Sequence, residues 1–332
     1  MQKLIDSPVG FVDEMLAGIL AAYPDHLRQA GDSRAVVRAA APISGKVAIA
    51  TGGGSGHLPL FLGYVGPGLA DGCAVGDVFA SPSADQILAV TRAVQAGRGV
   101  LYLFGNYGGD VLNFELAAEL AASEGIETMT VTAADDVASA PPAEQNRRRG
   151  IAGIALLYKI AGAMADRGAS LAEIAATTNR AGTRLRSMGV ALAPCTIPAA
   201  GRPTFELPDG QMEIGMGIHG EPGVRRAPLS SASEVARELT ETVLADLDAG
   251  SGDELAVLIN GLGATPAEEL HLVFATVAQV IADRGMAVRR RWIGEYATSL
   301  EMAGASVSLL RLDAQLLDLL DAPAASPFVA FR

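Results

Sequence analysis

Three glycine-rich loops hold the side chains best placed to do chemistry. In Thr51-Gly-Gly-Gly-Ser-Gly-His57 the lack of side chains lets the backbone N–H groups of Gly54, Ser55 and Gly56 approach a small oxygenated ligand, with the His57 imidazole at the loop's end. The same loop also reads as a tight turn that needs positive φ. It is not a Walker A loop, since no Gly-Lys-Ser/Thr follows, nor a GxGxxG, since position 57 is His. In Gly105-Asn-Tyr-Gly-Gly-Asp110 only Asn106, Tyr107 and Asp110 have bulk. Asp110 stands at the start of a helix, where a carboxylate serves as a cap or as a general base. In Gly215-Met-Gly-Ile-His-Gly-Glu-Pro-Gly223 the His219 ring is sterically open. By residue type, an acid/base role leads for both loop histidines, because nucleophilic use of His is uncommon. A Ser55, His219, Asp110 hydrolase triad is a rival without a GxSxG elbow. His26 and His271 read as helix-surface residues with no role.

The elements that must position these loops alternate between short apolar strands and helical patterns. Strands are expected at Val47–Ala50, Gly72–Phe79, Val100–Phe104 and Thr128–Thr132, and helices at Ser83–Gln95, Val111–Ser123 and Gly150–Arg167. That alternation implies parallel βαβ units, which place reactive loops beyond the carboxyl ends of the strands. Pro194, Pro198, Pro203 and Pro208 interrupt Ser187–Asp209, so the domain boundary falls there, with a Pro208-Asp209-Gly210 turn between strands Thr204–Leu207 and Met212–Gly215. Beyond it come a helix over Ala232–Leu247, a strand at Glu254–Asn260 and a helix after Thr265-Pro266, capped by Thr265 and Glu268. Strands Ala287–Ile293 and Val307–Leu312 and a short helix from Asp313 follow. The expected fold is two α/β domains. Residues 1–186 form a mostly parallel sheet covered by helices and carry the Gly-rich loops, and residues 187–332 form a mixed-sheet domain carrying His219.

Composition removes other classes. With 332 residues, 50% of them hydrophobic, the chain can bury two cores. The 25 Lys and Arg against 37 Asp and Glu give a net charge of −12, which repels nucleic-acid backbones. Cys73 and Cys195, with no CxxC, suggest buried reduced thiols instead of a zinc site or a disulfide framework. No metal site is expected. The start Met1-Gln-Lys-Leu-Ile-Asp-Ser-Pro8 lacks the apolar stretch of a signal peptide, and Gly150–Ala165, the most apolar segment, is short and interrupted by Lys159, so a cytoplasmic protein with no membrane partner is expected.

Taken in order, the Thr51–His57 loop, Gly105-Asn-Tyr-Gly-Gly-Asp-Val-Leu-Asn-Phe114, Gly150-Ile-Ala-Gly-Ile-Ala-Leu-Leu-Tyr-Lys-Ile-Ala-Gly162, Glu213-Ile-Gly-Met-Gly-Ile-His-Gly-Glu-Pro-Gly223, Asn260-Gly-Leu-Gly-Ala-Thr-Pro266 and Thr298-Ser-Leu-Glu-Met-Ala-Gly304 resemble the dihydroxyacetone kinase family, in its substrate-binding K subunit. The resemblance runs from about Lys3 to Pro323. It implies that His219 bonds through a ring nitrogen to a ketone carbon as a hemiaminal, which excludes glycerol. It further implies that Asp110 takes the proton of the terminal hydroxyl as that hydroxyl attacks phosphorus, and that His57 assists, with Gly54, Ser55, Gly56 and Gly105 around the substrate. The family's nucleotide sits on a second, all-helical module, fused or separate. The implied partners are therefore a ketose, an L-type subunit carrying Mg-ATP or ADP and a second copy of the chain, with no cofactor on this chain. Arg147-Arg148-Arg149 reads as a solvated loop or as a docking site for that partner.

The departures from the family pattern remove polar groups: Gly105 replaces the usual Lys, Gly108 a common Thr, and Leu58 the usual Glu. They suggest a tetrulose such as erythrulose as an alternative to dihydroxyacetone. A non-catalytic ketose-binding co-regulator is the family's other possibility, against which the retained Asp110 argues. A Rossmann-like nucleotide-binding protein is a third reading, without its GxGxxG.

Overall fold

The computed structural model describes residues 3–331. The chain divides into two compact units: one holds the chain up to Ala133, Ala155–Arg180 and the segment from Asp318, and the other holds Ala134–Ile154 and Ala181–Leu317. A single break after Arg186 is the expectation from the proline pattern, whereas the contacts divide the chain discontinuously. The reason lies in pairing. Asp136 bridges to Ser187, whose N–H donates to the Asp135 carbonyl at 2.7 Å, so residues 134–154 join the later strands. The C-terminal segment returns to the first unit, where the Ala325 N–H donates to the Pro67 carbonyl at 3.1 Å.

The first unit contains α1 (Phe11–Ala22), β1 (Leu27–Gln29), β2 (Ala35–Arg38), β3 (Ala48–Ser55), β4 (Gly72–Val78), α2 (Ala84–Val94), β5 (Val100–Gly105), α3 (Gly108–Ser123) and β6 (Thr128–Ala133). Its six-stranded sheet runs β1-β2-β4-β3-β5-β6, with β3 parallel to β4 and β5, and β5 parallel to β6. Every residue of β3 is buried, as expected for a parallel strand covered on both faces. Helix α2 starts in a capping box: the Gln86 N–H donates to Ser83 Oγ at 3.3 Å while the Ser83 N–H donates to Gln86 Oε1 at 2.7 Å. Its buried Ile87, Val90 and Val94 pack with Val100 and Phe104 of β5, and Phe104 stacks on Phe114 of α3 at 4.0 Å. The helices α4 (Ile154–Asp166) and α5 (Leu171–Thr183) follow.

The second unit is built on β7 (Leu185–Ala193), β8 (Gln211–Ile214), β9 (Arg225–Pro228), α6 (Ala232–Leu247), β10 (Glu254–Gly261), α7 (Ala267–Asp283), β11 (Ala287–Gly294) and β12 (Ala303–Arg311), with α8 (Ala314–Asp321) after them. Its sheet order is β11-β10-β12-β7-β8-β9, in which β10 and β11 are parallel and the other pairs antiparallel. Leu239, Val243, Val257, Val277 and Val307 form its core. Two α/β bodies, the first sheet mostly parallel and the second mixed, agree with the expected fold class.

Local expectations fail where side chains capture backbone. Gly150–Gly153 is not helical, because Ile151 and Gly153 donate their N–H groups to the Asp135 carboxylate at 3.0 Å each. Thr265 does not cap α7: Pro266 is the N-cap residue, and Thr265 Oγ1 instead bonds the Gly304 carbonyl and N–H. Residues 204–207 are not a strand, for the Thr204 N–H returns to the Cys195 carbonyl and β8 pairs with β7 and β9. His26 lies in a turn before β1, while His271 sits exposed on α7. Both cysteines are buried and unoxidised. Among the described residues, no helix is long and apolar enough to cross a membrane, and no group of His, Cys, Asp and Glu could hold a metal ion.

Candidate functional site

The first Gly-rich segment is mostly strand. β3 continues through Gly52, Gly53 and Gly54 to Ser55, and the glycines are demanded by packing. A Cβ on Gly53 would lie 2.2 Å from the Phe61 ring, and one on Gly54 would lie 2.7 Å from the Ala80 backbone nitrogen. Ser55 Oγ donates to the Gly76 carbonyl at 2.7 Å, so its hydroxyl holds β3 against β4. Gly56 then turns the chain at φ +96°, and His57 follows, buried, its ring stacked on Phe79 at 4.8 Å and edge-on to Phe61 at 6.2 Å. A cavity of about 20 Å³, room for a water, lies against Gly53–His57.

Asp110 enters from the neighbouring parallel strand. β5 ends at the buried Gly105, and α3 begins at Gly108, whose Cβ position faces open space. Asp110 is therefore the third residue of α3. The N-cap is Tyr107, which makes no side-chain capping bond, and Asp110 is buried with Oδ1 sealed from solvent. Because β3 and β5 are adjacent and parallel, His57 and Asp110 leave the same carboxyl edge of one sheet. Near Asp110, Tyr158 shares a 2.6 Å hydrogen bond with Thr51 Oγ1; burial pushes its phenol up, and the Asp110 charge adds to the rise.

His219 lies in the second unit, in the loop from β8 to β9. Its ring is half-buried, with 22% of the side chain exposed, and it lines a cavity of about 550 Å³ together with Arg202, Thr204 and Phe205. Glu221, to which residue type and spacing give no role, grips it twice: His219 N–H donates to Oε2 at 2.9 Å, and Nδ1 lies 3.0 Å from Oε1. Burial works to raise the Glu221 carboxyl, but His219 and Arg149 outweigh it and leave it at about 2. An ionised carboxylate only accepts, so Nδ1 carries a hydrogen, and in the neutral ring that puts the lone pair on Nε2.

The arginine run is also structural in large part. Arg147 is exposed and paired with Glu144, but Arg148 is fully buried with Nη1 and Nη2 on Asp246 at 2.7 and 2.6 Å. Arg149 donates Nε and Nη2 to Asp136 Oδ2 at 3.0 and 2.7 Å, with Nη1 3.9 Å from Glu221. Burial pushes the Asp136 carboxyl up to about 6 despite this partner. A basic docking surface formed by all three arginines is thus ruled out, since Arg148 and Arg149 are spent inside the second unit.

A two-bodied α/β chain with a histidine and a carboxylate at one sheet edge, and a carboxylate-held imidazole in a β-loop, has the fold of the dihydroxyacetone kinase K subunit. The dihydroxyacetone kinase of C. freundii aligns with a TM-score of 0.89 at 32% identity, over 98% of this chain and 59% of that one. The Dak1 domain model matches residues 17–328, and the chain belongs to that family. It is 44% identical to an L-erythrulose kinase of Pectobacterium atrosepticum, aligning over 100% of this chain and 56% of that protein. It is 40% identical to the dihydroxyacetone-binding subunit of a PTS-dependent dihydroxyacetone kinase of Listeria innocua, aligning over 99% of each. The chain thus spans about half the length of the first and nearly all of the second.

Proposed function

We propose that this chain is the ketose-binding part of a kinase for short-chain ketoses, with a tetrulose such as erythrulose as its preferred substrate. His219 Nε2 attacks the ketone carbon and holds the ketose as a hemiaminal, and Asp110 accepts the proton of the terminal hydroxyl as that hydroxyl attacks phosphorus. His57 assists at the substrate hydroxyls, and the phosphoryl group comes from a nucleotide with magnesium on an L-type module. The observation that carries this reading is the 3.0 Å contact between His219 Nδ1 and an ionised Glu221, which leaves Nε2 as the nucleophilic nitrogen. The named activities of the two relatives support the substrate class.

The test uses erythrulose labelled with ¹³C at the carbonyl. Its ketone signal is expected to give way to a saturated carbon signal in the presence of the chain, with a mass gain equal to the intact ketose, and neither is expected with His219→Ala or with glycerol. A bound ketose whose carbonyl signal persists would overturn the reading.

The tetrulose preference follows from Gly105, the buried end of β5, where the resemblance expects a lysine. A lysine ammonium would occupy volume and donate hydrogen bonds where an additional CHOH unit could otherwise sit. Gly105→Lys is therefore expected to shift preference toward dihydroxyacetone by roughly 10- to 200-fold, the usual range for one carbon unit. Competition between the two ketoses for adduct formation measures it; an unchanged ratio removes the idea.

A further inference from the structure

Glu221 sits two residues from His219, and its carboxylate is braced as well as bonded. Arg149 is locked by its two bonds to buried Asp136 and brings Nη1 to 3.9 Å from Glu221 Oε2. The packing leaves a place for this arrangement: a Cβ on Gly217 would stand 2.2 Å from Glu221 Oε2 and 2.6 Å from Arg149 Nη1. The Gly217 N–H also donates to the Glu221 carbonyl at 3.2 Å, and the Gly220 N–H to the Gly217 carbonyl at 3.1 Å, so the loop closes around the carboxylate.

We propose that Glu221 is a positioning residue that sets the His219 tautomer and stabilises the charge the ring gains on capturing a ketose, with the Asp136–Arg149 pair holding Glu221 in place. The proposal rests on His219 being the nucleophile. In the step, the Nε2 lone pair forms the C–N bond and the carbonyl π pair moves to oxygen. That oxygen takes a proton from water, releasing hydroxide to bulk solvent. Nδ1 keeps its hydrogen, so the ring becomes cationic, and that charge faces the Glu221 carboxylate, the logic by which a buried carboxylate serves a catalytic imidazole.

Glu221→Gln keeps the shape and removes the charge. Gly217→Ala keeps every charge and displaces the carboxylate, and the atoms that the new Cβ meets are the ends of flexible side chains, so the backbone is expected to stay. Both variants should weaken ketose capture by about 10- to 100-fold, the worth of a charge-assisted hydrogen bond. Glu221→Asp should recover part of the loss. The ¹⁵N signals of His219 should report the Nδ1–H tautomer in the parent and a shift toward Nε2–H in both variants, a change that general loosening of the loop would not produce. If the parent captures ketose but the variants do so equally well with an unchanged tautomer, the role of Glu221 is refuted. If the parent forms no adduct at all, the nucleophile assignment fails instead, and the tautomer measurement still decides whether Glu221 orients the ring.

Discussion

Asp110→Asn is expected to capture ketose at His219 as the parent does and to lose roughly 10²- to 10⁴-fold in turnover when supplied with a competent nucleotide module. The side chain is buried near the start of α3, and Asn is nearly isosteric, so the variant changes proton affinity far more than shape. Asp110 is not the N-cap residue: Tyr107 occupies that position, and Asp110 follows it by three residues as the third residue of the helix. What Asn forfeits structurally is the favourable field of the helix N-terminus on a carboxylate, about 0.3–1 kcal/mol. Steady-state turnover together with adduct formation distinguishes the outcomes. Near-parent turnover removes the general-base role, and a parent that captures ketose yet never transfers phosphoryl, whatever module is supplied, would favour a non-catalytic binding protein.

The second large effect is on stability. Asp246 is the shared carboxylate for two buried guanidiniums, Arg148 and Arg186. Burial alone would raise its pKa, but the two arginines hold it below the usual carboxylate range. Asp246→Ala removes the carboxylate that the two guanidiniums share, while Arg148 still donates Nε to the Ala140 carbonyl and Arg186 still donates to Gln145 Oε1. Removing one side of such a buried pair costs about 3–5 kcal/mol. The single tryptophan, Trp292 of β11, belongs to the same unit and is buried, so its fluorescence follows this unit through a urea titration. A loss below about 1 kcal/mol would mean that the site relaxes around solvated arginines.

These two variants also separate what was legible in the sequence from what was not. The helix Ala232–Leu247 and the strand starts at Gly72, Val100, Thr128, Glu254 and Ala287 are where the apolar pattern places them, and the strands at Val100 and Glu254 are buried almost throughout. The short β1 and β2, and β7 with Arg186 and Ser187 near its start, escape that signal, since their polar residues are paid for by distant partners: Ser187 Oγ donates to Ser308 Oγ at 2.6 Å.

By itself, the sequence determined the family, the two α/β bodies and the loops that carry His57, Asp110 and His219, because motif residues and hydrophobic period are local properties of the chain. The tertiary structure alone decided that Gly53 and Gly54 are packing glycines, that Tyr107 and not Asp110 is the N-cap residue of α3, that Arg148 and Arg149 face inward and that Glu221 holds His219. Those outcomes depend on which groups folding brings together, as with Gly53 against Phe61, Gly54 against Ala80 and Arg148 against Asp246, and no composition or spacing records which carboxylate a buried guanidinium meets.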